Sequence, residues 1–266
     1  MEQNVRPIAP TDDLIEQHRK MMLDAIRRCD SSVVRRLLTT PYVLPDDPKA
    51  RYIEAAIVAN CTHSTRLDVL EVLLEAGADP NLVDGPNTPL LSWIANSARP
   101  DPFPEVKLLI DHGLNVRRTF SNGNTYFHMF SWPSAFRGVT TFAGVVPIYE
   151  LLIASGVDPQ SINRRWQTSL VTHSMIWGSV EQAAFLLDKG VNLDFTDGCK
   201  MTAIDYTQMV HTSGFSYTKL SAYPEFRQKS PEAAAKADAL FAFLRSRGAV
   251  ERALPDHVIL HCVDMQ

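Results

Sequence analysis

The stretch closest to a reactive constellation is His257-Val258-Ile259-Leu260-His261-Cys262. On a helix, histidines four residues apart share a face, and with the thiol they could make half of a metal site. A second ligand pair at a usual spacing is missing, so these side chains are expected to be solvated or packed, and no metal or cofactor is assigned. Cys29 and Cys199 have no histidine assigned beside them and are expected to behave as small apolar groups. The sequence carries no G-x-S-x-G elbow, no H-E-x-x-H pair and no glycine-rich phosphate loop, so no catalytic residue is named. Cations interleaved with aromatics are the more informative chemistry. Arg117, Arg118 and Phe120 form one cluster, Arg164, Arg165 and Trp166 a second, Phe195 and Lys200 a third. Arginine and the large aromatics are the residues that carry binding energy at protein interfaces.

What positions these clusters is a phrase that recurs. Leu73-Leu74-Glu75-Ala76-Gly77 returns as Leu108-Leu109-Ile110-Asp111-His112-Gly113 and as Leu151-Leu152-Ile153-Ala154-Ser155-Gly156. Phe185-Leu186-Leu187-Asp188-Lys189-Gly190 and a worn Phe243-Leu244-Arg245-Ser246-Arg247-Gly248 complete the set. Each is an apolar helix end closed by a glycine, the residue suited to a left-handed helix stop. A threonine, with apolar residues after it, follows eleven residues after Gly77 and twelve after each of the next three glycines: Thr88, Thr125, Thr168 and Thr202. It is expected to cap the next helix, and Pro89 would then sit where a missing N–H costs nothing. The glycines are 36, 43, 34 and 58 residues apart and the threonines 37, 43 and 34.

These spacings are a unit of about 33 residues plus insertions, the length at which ankyrin repeats recur with a T-P-L-H-x-A phrase. The chain resembles the ankyrin-repeat family over residues 19 to 249. The resemblance implies an all-α solenoid of about six helix-pair repeats, with β-turn fingers between repeats and insertions between the paired helices. It also implies a structural part for His128, which holds the histidine position of that phrase and would tie the helix start to the neighbouring turn. Residues 1–18 are expected to be a loose N-terminal arm, with helical pattern from Met21, and residues 250–266 a tail. In the first repeat, Cys29-Asp30 stands where the family has Gly-His. Extra residues fall between the paired helices near 60–66, at 100–104, within 132–144 and, at greatest length, near 211–230. The Gly-to-Thr connections hold their length, as expected if neighbouring fingers stack while the opposite rim is free to vary.

Composition bounds the class. The chain has 266 residues, 45% hydrophobic and 21% charged, with a formal net charge of −4, which is ordinary for a globular protein and offers no general attraction to nucleic acid or anionic lipid. Met1-Glu2-Gln3-Asn4 does not read as a signal peptide, and the apolar run from Phe142 to Val157 is broken by Pro147 and Glu150, so no membrane span is expected. Four cysteines without a C-x-x-C pair read as reduced thiols in a cytoplasmic or nuclear protein.

Ankyrin repeats are protein-binding modules, so the resemblance implies a scaffold or adaptor, taken here as a monomer, that recognises another protein through its fingers and inner helices. The residues expected to bind are Arg117, Arg118, Phe120, Arg164, Arg165, Trp166 and Lys200 at the fingers, with Trp132 and Trp177 nearer the rim. The alternative is an enzyme, or an accessory factor of a biosynthetic pathway, with a pocket under the insertions at 132–144 and 211–230, lined by His211 and the aromatics from Phe215 to Phe226. A substrate receptor of a ubiquitin ligase is a third possibility, though the tail carries no recognisable box for it.

Overall fold

A computed structural model of the chain describes residues 11–47, 50–62, 67–81, 83–84, 88–95, 101–120, 123–130, 142–163, 168–169, 180–196, 200–205, 207–208 and 231–252. The protein is mostly helical. Its extended segments, among these residues, are four strands of two residues each. The fold divides into two compact units, Met1–Asn115 and Val116–Gln266.

In the first unit the helices come in pairs: α1 (Asp12–Arg27) with α2 (Ser31–Leu38), α3 (Tyr52–Thr62) with α4 (Asp68–Glu75), then α5 (Leu90–Ala95) and α6 (Phe103–Asp111). The first member of each pair packs on the first member of the next, α1 on α3 and α3 on α5, and α2 packs likewise on α4. The faces so covered are apolar. Met22, Ile26, Ile53, Ile57, Leu70, Leu73, Leu90 and Leu91 are all fully buried. Burial of this kind contributes roughly 1.5–3 kcal/mol per large aliphatic side chain, which is why eight-residue helices such as α2 and α4 persist despite being too short to stand alone. Between α4 and α5, β1 (Val83–Asp84) pairs antiparallel with β2 (Thr88–Pro89), Val83 opposite Pro89 and Asp84 opposite Thr88.

The second unit holds α7 (Tyr126–Phe130), α8 (Phe142–Ala154), α9 (Val180–Asp188) and α10 (Pro231–Ser246), with a short helical stretch at 203–205. Here α7 packs on α8 and α9 on α10. Its core is more aromatic. Tyr149 stacks between Phe127, with ring centroids 5.0 Å apart, and Phe185, at 5.7 Å, and Phe142 closes over both Tyr149 and Phe185 at 6.0 Å. A second hairpin pairs β3 (Ile162–Asn163) with β4 (Thr168–Ser169).

Five helices end in one way. Gly77, Gly113, Gly156, Gly190 and Gly248 all have positive φ, and the residue after each donates its N–H to the carbonyl five positions back, as in Ala78 to Leu73 and Val157 to Leu152. This closure satisfies carbonyls the helix leaves over. α1 closes likewise without a glycine: Cys29 takes φ 54° and Asp30 N–H reaches Ala25 O at 2.9 Å.

Several boundaries differ from the sequence expectation. Helix α1 starts at Asp12, inside the stretch expected to be a loose arm. Thr11 caps it, accepting the Leu14 N–H, and Asp12 and Asp13 sit in its first turn, where the helix dipole favours acids. Thr88 and Pro89 form β2, so Pro89 stands in a strand and not in the first turn of α5, and Thr168 lies in β4, the segment after it falling outside the described residues. α3 runs to Thr62, absorbing part of the expected insertion, and α8 begins at Phe142, absorbing the end of another. Among the described residues no helix is long and apolar enough to cross a membrane.

Candidate functional site: the turn segments

The segments that follow the closing glycines Gly77, Gly156 and Gly190 are held by their own short polar side chains. Asp79 Oδ1 accepts the N–H of Asn81, Asp158 Oδ1 that of Gln160, and Asn192 Oδ1 that of Asp194, all at 2.8–2.9 Å. These bonds to the residue two ahead fold the chain into a turn. The turns are then tied to one another. Asp46 Oδ1 accepts Asp79 N–H at 2.6 Å, 33 residues on. Asn81 Oδ1 accepts Asn115 N–H at 2.7 Å while its Nδ2 donates to Gly113 O at 3.1 Å. In the second unit Gln160 repeats the grip, its Oε1 accepting Asn192 N–H at 3.1 Å and its Nε2 donating to Gly190 O. A side-chain amide thus grips the following segment through both a donor and an acceptor, at the period of the repeat.

The helix entries show a second recurrence. His128 is fully buried, and its Nδ1 accepts Thr125 N–H at 3.2 Å and lies 2.9 Å from the Thr125 hydroxyl. Nδ1 is therefore the unprotonated nitrogen, an assignment made from the hydrogen bonds. The ring closes on its own helix start. Thr202 N–H and hydroxyl make the same two bonds to Asp205 Oδ2, at 2.7 and 2.8 Å.

Among the expected binding residues, Arg117 is exposed, and its guanidinium lies against Gly156, where a Cβ would otherwise go. Arg118 sits over the Phe120 ring, 5.8 Å from its centroid. Phe120 itself is only 6% exposed and meets Tyr126 edge-on at 5.0 Å, so its ring belongs to the core and offers a partner little beyond the Arg118 stack. Burial pushes the Tyr126 hydroxyl well above its ordinary pKa, with Arg118 opposing. Lys200 is exposed and takes a left-handed backbone, φ 63°. Trp132, Arg164, Arg165, Trp166 and Trp177 lie outside the described residues, as do His211, the aromatics from Phe215 to Phe226 and the tail histidines. Of the expected row, then, Arg118 and Phe120 are brought together, Arg117 is turned to a helix end, and Lys200 stands at its own turn.

The sequence reading missed Arg252. It lies just past the last closing glycine and returns to the segment at Lys200: Nη2 donates to Lys200 O at 3.1 Å and to Asp205 Oδ2. Pairing with Asp205 raises the Arg252 pKa above its already high ordinary value. The signal was present in Asp205 itself, a carboxylate where the phrase at Thr125 has a histidine. The described residues include no group of three His, Cys, Asp or Glu side chains placed to hold a metal ion. No protein-family model matches the chain, and no curated protein matches it.

Proposed function

We propose that this protein is an ankyrin-like repeat array that binds another protein through its finger segments, with Arg117, Arg118, Arg164, Arg165, Trp166 and Lys200 as the contact side chains. The observation that carries the reading is the paired amide grip of Asn81 and of Gln160, each on a backbone 30–34 residues ahead. A bond of that kind recurring at the repeat period supports stacked, equivalent units. It also fixes the spacing between the segments it joins, so the side chains they carry are presented in a preset row, and preorganised contacts bind with less ordering cost. Arg117, Arg118 and Lys200 are at least partly exposed there, with Asp158, whose Oδ1 accepts the Gln160 N–H, and the exposed Asp194 carrying the opposite charge in the same segments. On this reading the three cations meet acidic side chains of the partner.

The test is a pull-down from the native host with tagged wild type beside an Arg164→Glu, Arg165→Glu double variant, partners being identified by mass spectrometry and melting temperatures compared. A protein held by wild type and lost by the variant at unchanged melting temperature is the expected result. A partner retained at full yield by the variant overturns the placement on the fingers, and a wild-type bait with no specific partner overturns the adaptor reading.

A further inference from the structure

We infer that the turn at residues 200–205 is a guanidinium-binding site and that Arg252 is its tethered ligand. Asp205 is fully buried. Its Oδ2 accepts both Thr202 donors and Arg252 Nη2, and Arg252 Nε lies 3.5 Å from Oδ1. The same Nη2 also donates to Lys200 O at 3.1 Å. A carboxylate and a carbonyl converging on one planar fork suit a guanidinium, whose donors are fixed in a plane; an ammonium is a point donor on a flexible stem. The carbonyl belongs to Lys200, a non-glycine residue in the left-handed region, a conformation that persists where surrounding contacts hold it.

The reason for the site lies in an earlier copy of the repeat phrase. At Thr125 the same two bonds go to His128, whose neutral ring can be buried without a counter-charge. At Thr202 they go to a carboxylate, and a buried carboxylate is unfavourable unless a cation meets it. That cation comes from 47 residues ahead in the chain. The Arg252 side chain is still 43% exposed, so the ligand enters from solvent and the acceptors remain reachable when the tail is drawn away. The adjacent Arg245–Glu251 pair, at 3.0 Å, folds the chain back after α10 and holds Arg252 near its acceptors, which raises the effective concentration of the ligand. The tail start is therefore a latch on this turn, one that an arginine from another chain could replace. The inference stands whether or not the fingers bind a protein.

The experiment uses the full chain with Arg252→Ala, Arg252→Lys and Asp205→His, read by hydrogen exchange of residues 200–205 and by melting temperature. In R252A, exchange at Thr202 is expected to rise at least about tenfold, which corresponds to about 1.4 kcal/mol, and R252K is expected to recover little of it. Millimolar methylguanidinium should restore protection to R252A, whereas methylammonium at the same concentration should not, and wild type should respond to neither. Equal recovery by the two cations, a fully protected R252K, or an R252A turn as protected as wild type overturns the site. Should R252A fail to fold, D205H keeps the question answerable, because it copies the neutral cap at Thr125. The turn in D205H is expected to stay protected while residues 249–252 exchange freely, and D205H/R252A should match D205H. A tail as protected in D205H as in wild type overturns the inference.

Discussion

The side-chain amide of Asn81 clasps the backbone at Asn115: its Oδ1 accepts the Asn115 N–H at 2.7 Å while its Nδ2 reaches the carbonyl two residues earlier. Both bonds are solvent-exposed, so each contributes modestly. Asn81→Ala is expected to lower unfolding free energy by about 0.5–1.5 kcal/mol, with Asn81→Asp losing at least as much, because its second oxygen would face Asp79 Oδ1 and Gly113 O where Nδ2 now donates. Gln160→Ala should behave as Asn81→Ala does. Urea unfolding at unchanged m-value measures this. Alanine variants as stable as wild type would remove the clasp as a stabilising device.

Two closing glycines separate backbone strain from crowding. Among the described residues no atom lies within 4 Å of the place of a Cβ at Gly77, whereas at Gly156 the Arg117 guanidinium occupies it. Both have strongly positive φ, 95° and 88°. Gly77→Ala should therefore cost about 1–2 kcal/mol from the left-handed backbone alone. Gly156→Ala should cost more in wild type and no more than that when Arg117 is first replaced by Ala. A double-mutant cycle on thermal or urea unfolding reads the difference. Additive effects of G156A and R117A would show that the guanidinium simply moves aside.

Gln182 Nε2 donates to the Tyr149 hydroxyl at 2.7 Å inside the aromatic cluster of the second unit, both side chains being essentially inaccessible. Gln182→Leu takes the donor from a hydroxyl that water cannot reach, an expected loss of about 1–3 kcal/mol. Adding Tyr149→Phe to the Gln182→Leu variant should recover part of that loss, since the stranded polar atom is then gone. Chemical denaturation of the single and double variants tests this, and a double variant no more stable than Gln182→Leu alone would contradict it.

Stability should fall on the alkaline side. Burial raises the Tyr52 hydroxyl from an ordinary 10.0 to about 12, and it pushes Tyr126 and Tyr149 higher still. The folded state holds these protons more tightly than the unfolded chain. Their contribution is thus intact below about pH 10 and is lost as the pH climbs through the folded values. Tyrosinate absorbance and helical circular dichroism, followed together against pH, should show these three tyrosines ionising with loss of helix. Ionisation of all seven tyrosines at an ordinary pH with helix intact would contradict the burial.

The helix stops were legible in the sequence because their cause is local: a glycine shortly after an apolar helix end needs no distant partner to close the turn. The apolar periodicity of α2, α4, α6 and α9 was legible for the same reason, as was the mostly helical character of the chain. Local chemistry also decided α1, where Thr11 and the two acids after it were readable and were overlooked.

What the sequence left open depended on residues far apart in the chain or on how the rings between them pack. Thr88 and Thr168 are the same residue type as Thr125, yet their backbones pair with strands at Asp84 and Asn163. Phe120 looked like a contact residue by type, and only the approach of Tyr126 takes it out of reach. Arg117 is exposed, and only the fold sets its guanidinium against Gly156. Arg252 carried no local pattern at all. Its role exists because Asp205 is buried 47 residues earlier, and a charge shut away from water selects its counter-ion by position in space, which a linear spacing does not encode.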